Sequence, residues 1–176
     1  GNNVAVLMQG ASSTVTNNGV IASANGLGVD MSAGGRVINE GLQASITGES
    51  GALRVAGGSA NVSNINGATI KGGAQSDGVQ LLAGGAVTNQ RAGSLISGGH
   101  SGVSISGGNA ATNIVNNVAG AQINSAGNGL VGVSLQSGGI VMNGVGSSIN
   151  GTTASVQATG ARRWSMRWRP TAVRPC

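Results

Sequence analysis

Short alternations of apolar and polar residues recur throughout the chain. In one series an apolar residue stands on each side of a single middle residue, at residues 4–6, 29–31, 53–55, 79–81, 103–105 and 133–135. A pair of Gly residues follows most of these triplets. Because successive side chains of a strand point to opposite faces, each triplet predicts a short strand with one buried face. No helical spacing of apolar residues is sustained long enough to predict a helix.

Two further signals recur with the same period. A tripeptide that begins with Val or Ile and ends with Asn places its Asn at Asn17, Asn39, Asn64, Asn89, Asn116 and Asn143. A lone Ile, usually three residues after a Gly, recurs at Ile46, Ile70, Ile96, Ile123 and Ile149. Each unit of about 25 residues therefore contains three short strands, separated by Gly and Asn corners that tolerate positive φ.

A unit of this length predicts one triangular coil. Three strands use roughly 15 residues and leave about ten for the corners. We therefore predict an all-β fold, a right-handed single-stranded parallel β-helix with three short strands per coil and about six to seven coils. The partial seventh coil is predicted at residues 155–157. The six Asn residues are predicted to stack at one corner as a hydrogen-bonded ladder.

Composition divides the chain into two segments. Residues 1–160 contain four basic and four acidic residues, whereas residues 161–176 hold five Arg, both Trp, both Pro and the single Cys. We predict a β-helix domain at 1–160 and a basic tail at 161–176 that is disordered or out of frame. The electrically neutral body predicts no binding of nucleic acid. A single Cys excludes a disulfide scaffold and a Cys-based zinc site.

The repeats resemble a known family. Residues 84–98 (GGAVTNQRAGSLISG), 57–72 (GGSANVSNINGATIKG) and 138–151 (GGIVMNGVGSSING) are similar to the passenger repeats of pertactin-like bacterial autotransporters. The resemblance implies a stalk at the bacterial cell surface or released outside the cell, which serves adhesion, aggregation or virulence. It also implies export through an outer-membrane barrel. Because the chain starts at Gly1 without a secretion signal, we expect a piece of a larger exported protein.

Few residues are candidates for chemistry. The predicted register places Arg54 one coil above Asp30, which predicts a solvent-exposed ion pair. His100 is the only histidine and is predicted to be a solvated corner residue, because its own coil lacks carboxylate partners. Glu49 and Lys71 are predicted neighbours, and Glu40 and Asp77 are predicted at corners without partners. We therefore predict no enzyme, and no catalytic, cofactor-binding or metal-binding residue.

One outward row suggests a surface for partners. It is predicted to contain three polar and three apolar residues, namely Thr16, Ile38, Ser63, Thr88, Val115 and Met142. The row suits a host surface, a glycan or another copy of the chain. The preferred function is a non-catalytic structural and adhesive segment. A fragment of a β-helical carbohydrate-active enzyme, either a polysaccharide lyase or a hydrolase, and a disordered Gly/Ser-rich segment stay open as alternatives.

Overall fold

The described part of the chain consists of short strands joined by tight corners. A computed structural model describes residues 3–126 and 131–160, and the strands of these residues form three parallel sheets. The first sheet contains β1 (Val4–Met8), β4 (Leu27–Met31), β7 (Gly51–Val55), β10 (Val79–Leu81), β13 (Ser101–Ile105), β16 (Val131–Leu135) and β19 (Ala154–Ala158). The second contains β2 (Thr14–Asn17), β5 (Gly35–Glu40), β8 (Ala60–Ile65), β11 (Gly85–Gln90), β14 (Ile114–Val118) and β17 (Ile140–Asn143). The third contains β3 (Val20–Ser23), β6 (Ser45–Gly48), β9 (Thr69–Gly72), β12 (Leu95–Gly98), β15 (Gln122–Ser125) and β18 (Ser148–Asn150).

Consecutive strands belong to different sheets, and each strand pairs in parallel with the strand three places later in the chain. Each set of three strands therefore forms one coil, and six coils stack from β1 to β18. β19 begins a seventh coil at the position where the sequence pattern placed it. These observations confirm the predicted parallel β-helix. The predicted tail at 161–176 lies outside the described residues.

The core consists of aliphatic columns that run along the solenoid. The third sheet contributes a column of Ile alone: Ile21, Ile46, Ile70, Ile96, Ile123 and Ile149. The second sheet contributes Val15, Val37, Val62, Val87, Val115 and Val141. The first sheet adds two mixed columns, of which Leu53, Val79, Met31 and Leu81 are members. These columns fill the narrow interior without Phe or Tyr.

Glycine is required at two matching positions near the point where the third sheet turns into the first. A Cβ atom at Gly102 would lie 2.6 Å from Cγ2 of Ile123 and 2.9 Å from the carbonyl oxygen of Gly132. One coil earlier, a Cβ atom at Gly78 would lie 2.5 Å from the carbonyl oxygen of Ser97. At Gly78 and Gly102 the chain therefore passes too closely to the neighbouring coil to accept a side chain, whereas the coil before Gly78 carries the fully buried Ala52 at the matching position.

The Asn ladder runs along the corner between the second and third sheets. In each coil the Asn Nδ2 donates to the Asn Oδ1 of the next coil, over 2.8 to 2.9 Å. The members are Asn17, Asn39, Asn64, Asn89, Asn117 and Asn143. Nδ2 also donates to nearby main-chain carbonyl oxygens, as Asn64 does to Ala68 at 2.8 Å. The ladder thus joins all six coils and satisfies corner carbonyl groups as well.

One predicted ladder position is wrong. Asn117, and not Asn116, pairs with Asn89, because Val115 aligns with the buried Val87 in the neighbouring strand. The recurring tripeptide, read as Ile114-Val115-Asn116, favoured Asn116, but burial of Val115 fixes the register and turns Asn116 outward. The predicted outward row is therefore corrected as well. Asn116 takes the place of Val115, and only Ile38 and Met142 of its six members are apolar.

Candidate functional site

A shallow groove of about 370 Å³ lies on the outer face of the first sheet. Its lining includes Arg54 on β7, Gln80 on β10 and Ser104 on β13, which are paired neighbours in adjacent strands. Asp77 and His100 line it from the corner that enters this sheet. Adjacent strands of a sheet lie about 4.8 Å apart, so the three strand residues form a continuous polar row along the solenoid.

One enlarged corner forms a wall of this groove. The residues between β9 and β10 are 73–78, whereas only residues 49–50 separate β6 from β7 and only residues 99–100 separate β12 from β13. The longer corner is held by its main chain: the Ser76 N–H donates to the Gly73 carbonyl over 3.2 Å, and the Ser76 carbonyl accepts from the His100 N–H over 3.0 Å. Asp77 is therefore presented from a fixed corner segment.

Arg54 and Asp30 form a bidentate ion pair. Nε of Arg54 donates to Oδ1 of Asp30 over 3.0 Å, and Nη2 donates to Oδ2 over 2.6 Å. The predicted pairing is present, but its predicted exposure is wrong for the acid, because the Asp30 side chain is only 10% exposed and that of Arg54 is 41% exposed. The hydrogen bond to Asp30 raises the pKa of Arg54 above its ordinary value, against a smaller lowering by burial. The guanidinium is therefore a fixed cation at one end of the groove.

Asp77 and His100 form a second pair that the sequence reasoning missed. Nδ1 of His100 lies 3.1 Å from Oδ1 of Asp77, although the acid belongs to the preceding coil. Ser101 Oγ lies 3.4 Å from the same Nδ1. In a Ser–His–Asp triad the serine and the acid contact different ring nitrogens, so these three residues do not form one. The carboxylate favours a proton on Nδ1, which leaves Nε2 as an acceptor in the neutral ring.

The other acidic candidates are also corrected by the structure. Glu40, predicted without a partner, accepts a hydrogen bond through Oε1 from Nδ2 of Asn66 over 2.7 Å. Glu49 and Lys71, predicted as neighbours, form no ion pair within residues 3–126 and 131–160. In the same residues no three His, Cys, Asp or Glu side chains lie close enough together to hold a metal ion. No helix of the described chain is long and apolar enough to cross a membrane.

The groove therefore combines two paired charges with neutral hydrogen-bonding groups. Arg54 and Asp30 cancel in charge, whereas Asp77 keeps its negative charge beside a neutral His100 ring. Gln80 and Ser104 lie between them on the same face of the sheet. No family model, curated protein or solved structure matches this chain. The solenoid and the chemistry of this groove are therefore the features that indicate a function.

Proposed function

We propose that the chain is a non-catalytic structural and adhesive segment of a bacterial autotransporter-type protein, displayed at the cell surface or secreted. The observation that carries this proposal is the continuity of the solenoid. Four aliphatic columns and one Asn ladder connect every coil to the next. A solenoid of this kind gains its stability from contacts between neighbouring coils, so it forms a stiff spacer with a long lateral surface.

The resemblance of the repeats to autotransporter passengers supports the same function. The described body has no Cys, which suits passage through an oxidising periplasm without disulfide formation. The groove on the first sheet supplies a lateral surface for recognition. Host surfaces and glycans are the proposed partners, and the parent protein is proposed to contain the outer-membrane barrel.

Export of the complete chain tests the proposal. The chain is placed between a secretion signal and a passenger-free autotransporter barrel in a Gram-negative bacterium. We expect the chain to appear outside the cell, folded and resistant to added protease over residues 1–160, because a solenoid can fold progressively from one end. Retention in the periplasm, while a pertactin-like passenger in the same vector is exported, would contradict the proposal.

A second function is favoured by one observation, the Asp77–His100 pair. A carboxylate that orients a histidine leaves Nε2 available as a general base, which suits the proton abstraction of a β-helical polysaccharide lyase better than a hydrolase, whose reaction uses two carboxylic groups. This function predicts new reducing ends or unsaturated sugars when the chain is incubated with polysaccharides. His100→Ala should abolish such activity, whereas intact polysaccharide after prolonged incubation supports the adhesive function instead.

A further inference from the structure

The groove on the first sheet carries no excess positive charge. Asp30 neutralises Arg54, and Asp77 lies beside His100. A polyanion such as nucleic acid or a sulfated glycan requires several unpaired cations, because its affinity comes largely from neutralising negative charge. A cationic ligand would compete with Arg54 and His100 for the two carboxylates.

The same groove is unsuited to a peptide strand or a lipid. Both strands beside the central β10 are already hydrogen-bonded to it in parallel, so no free strand edge is available for β-augmentation. The large apolar side chains at the groove, Leu27 and Leu53, are buried beneath it. The described lining therefore exposes mainly polar groups.

Several hydrogen-bonding groups remain available. Arg54 donates to Asp30 through Nε and through one hydrogen of Nη2. Its three other N–H groups do not bond to Asp30 and are available to a ligand. The Gln80 side chain forms no hydrogen bond within the described chain, and its amide both donates and accepts. His100 is 57% exposed and retains Nε2. The guanidinium, amide and imidazole groups are planar. They match the adjacent hydroxyl groups of a sugar, which donate and accept hydrogen bonds at a fixed spacing.

From these features we propose that the groove binds a neutral oligosaccharide, recognised mainly through Arg54, Gln80 and His100. The volume of about 370 Å³ is at the lower end of the range for small-ligand sites, and it suits a short stretch of sugar units. This inference rests on the proposed adhesive function for its biological role, because it names the ligand class of the same surface. Binding itself is a property of the purified chain.

The test uses the complete purified chain and defined probes. Manno-, cello- and chito-oligosaccharides serve as neutral probes, oligogalacturonate as an acidic probe and heparin-derived oligosaccharides as sulfated probes, all measured by titration calorimetry. We expect a neutral probe to bind, with little dependence on salt. Gln80→Ala should weaken binding by about fivefold to tenfold, as expected for the loss of one or two hydrogen bonds.

Gln90→Ala is the matched control. Gln90 lies in the same coil as Gln80 and is exposed, but it belongs to the second sheet. Equal effects of Gln80→Ala and Gln90→Ala, failure of every neutral probe to bind, or binding of the sulfated probe alone with steep salt dependence would each overturn the inference. A chain that is exported normally but binds no neutral probe refutes the ligand and leaves the adhesive function standing. A purified chain that binds but is not exported refutes the proposed exported function alone.

Discussion

The clearest quantitative prediction compares two adjacent residues, Asn116 and Asn117. Asn117 is fully buried and accepts a hydrogen bond from Nδ2 of Asn89 over 2.9 Å. Its own Nδ2 donates to Oδ1 of Asn143 and to the main-chain carbonyls of Ala121 and Ser148, over 2.8 to 3.1 Å. Asn116 points outward, and its Oδ1 is buried without a hydrogen-bond partner. The two residues thus have the same composition but opposite hydrogen-bonding roles.

Asn117→Ala removes one accepted hydrogen bond and two Nδ2 hydrogens that three acceptors share, and it leaves buried partners unsatisfied. At about 0.5–1.5 kcal/mol for each of these three donor hydrogens, and more for a buried orphaned group, the free energy of unfolding should fall by about 2–5 kcal/mol. Asn116→Ala removes an acceptor that has no partner. Its free energy of unfolding should stay unchanged or rise by up to about 1 kcal/mol.

Urea unfolding followed by far-ultraviolet circular dichroism measures this difference. Circular dichroism is the suitable probe because residues 1–160 contain no Phe, Tyr or Trp to report on the solenoid. Native-state hydrogen exchange should also show faster opening of β14 and β17 in Asn117→Ala, because a weakened coil loosens its neighbours. If Asn116→Ala were as destabilising as Asn117→Ala, the ladder register in the fifth coil would be refuted.

Three further predictions concern the core, the corner and the ion pair, and the same unfolding assay tests each of them. Ile96→Ala should cost about 2–5 kcal/mol because Ile96 is fully buried, and a loss below 1 kcal/mol would contradict its place in the core. Gly102→Ala should cost about 1–3 kcal/mol through overpacking, whereas Gly19→Ala, whose Cβ meets nothing within 4 Å, should be neutral or slightly stabilising. Arg54→Met should destabilise more than the double variant Asp30→Leu with Arg54→Met, because the single change leaves a nearly buried carboxylate unpaired. If Arg54→Met and the double variant lost equal free energy of unfolding, the unpaired Asp30 carboxylate would be solvated.

The coil architecture was predictable because every coil solves the same packing problem. The interior admits a Val from the second sheet and an Ile from the third in each coil, so these residues recur at nearly constant spacing. Corner Gly and Asn residues mark the strand ends in the same way. The pattern fails at Asn116 and Asn117, where either Asn completes a tripeptide that begins with Val or Ile. There the position of the buried Val115 decides the register.

The groove was less predictable because its contacts depend on corner length. The Asp30–Arg54 pair follows from strand register alone, since both residues lie at matching positions of neighbouring strands. The Asp77–His100 pair joins two corners of different lengths, so no constant offset relates the residues. The polar residues 75–77, inserted between Gly73 and Gly78, are the one sequence signal of the enlarged corner. That signal indicates a loop, but it does not place Asp77 beside His100 in the next coil.

Inward and outward positions of this solenoid obey different constraints. Inward positions repeat the same aliphatic types, because each must fill the space above and below its equivalents. The outward row of the first sheet instead changes from Asp30 to Arg54, Gln80 and Ser104, while the strands that carry it stay in register. Core packing does not require this sequence of side chains. This varied polar row lies beside the enlarged corner that presents Asp77. The two features together are the structural reason to propose ligand binding on this face.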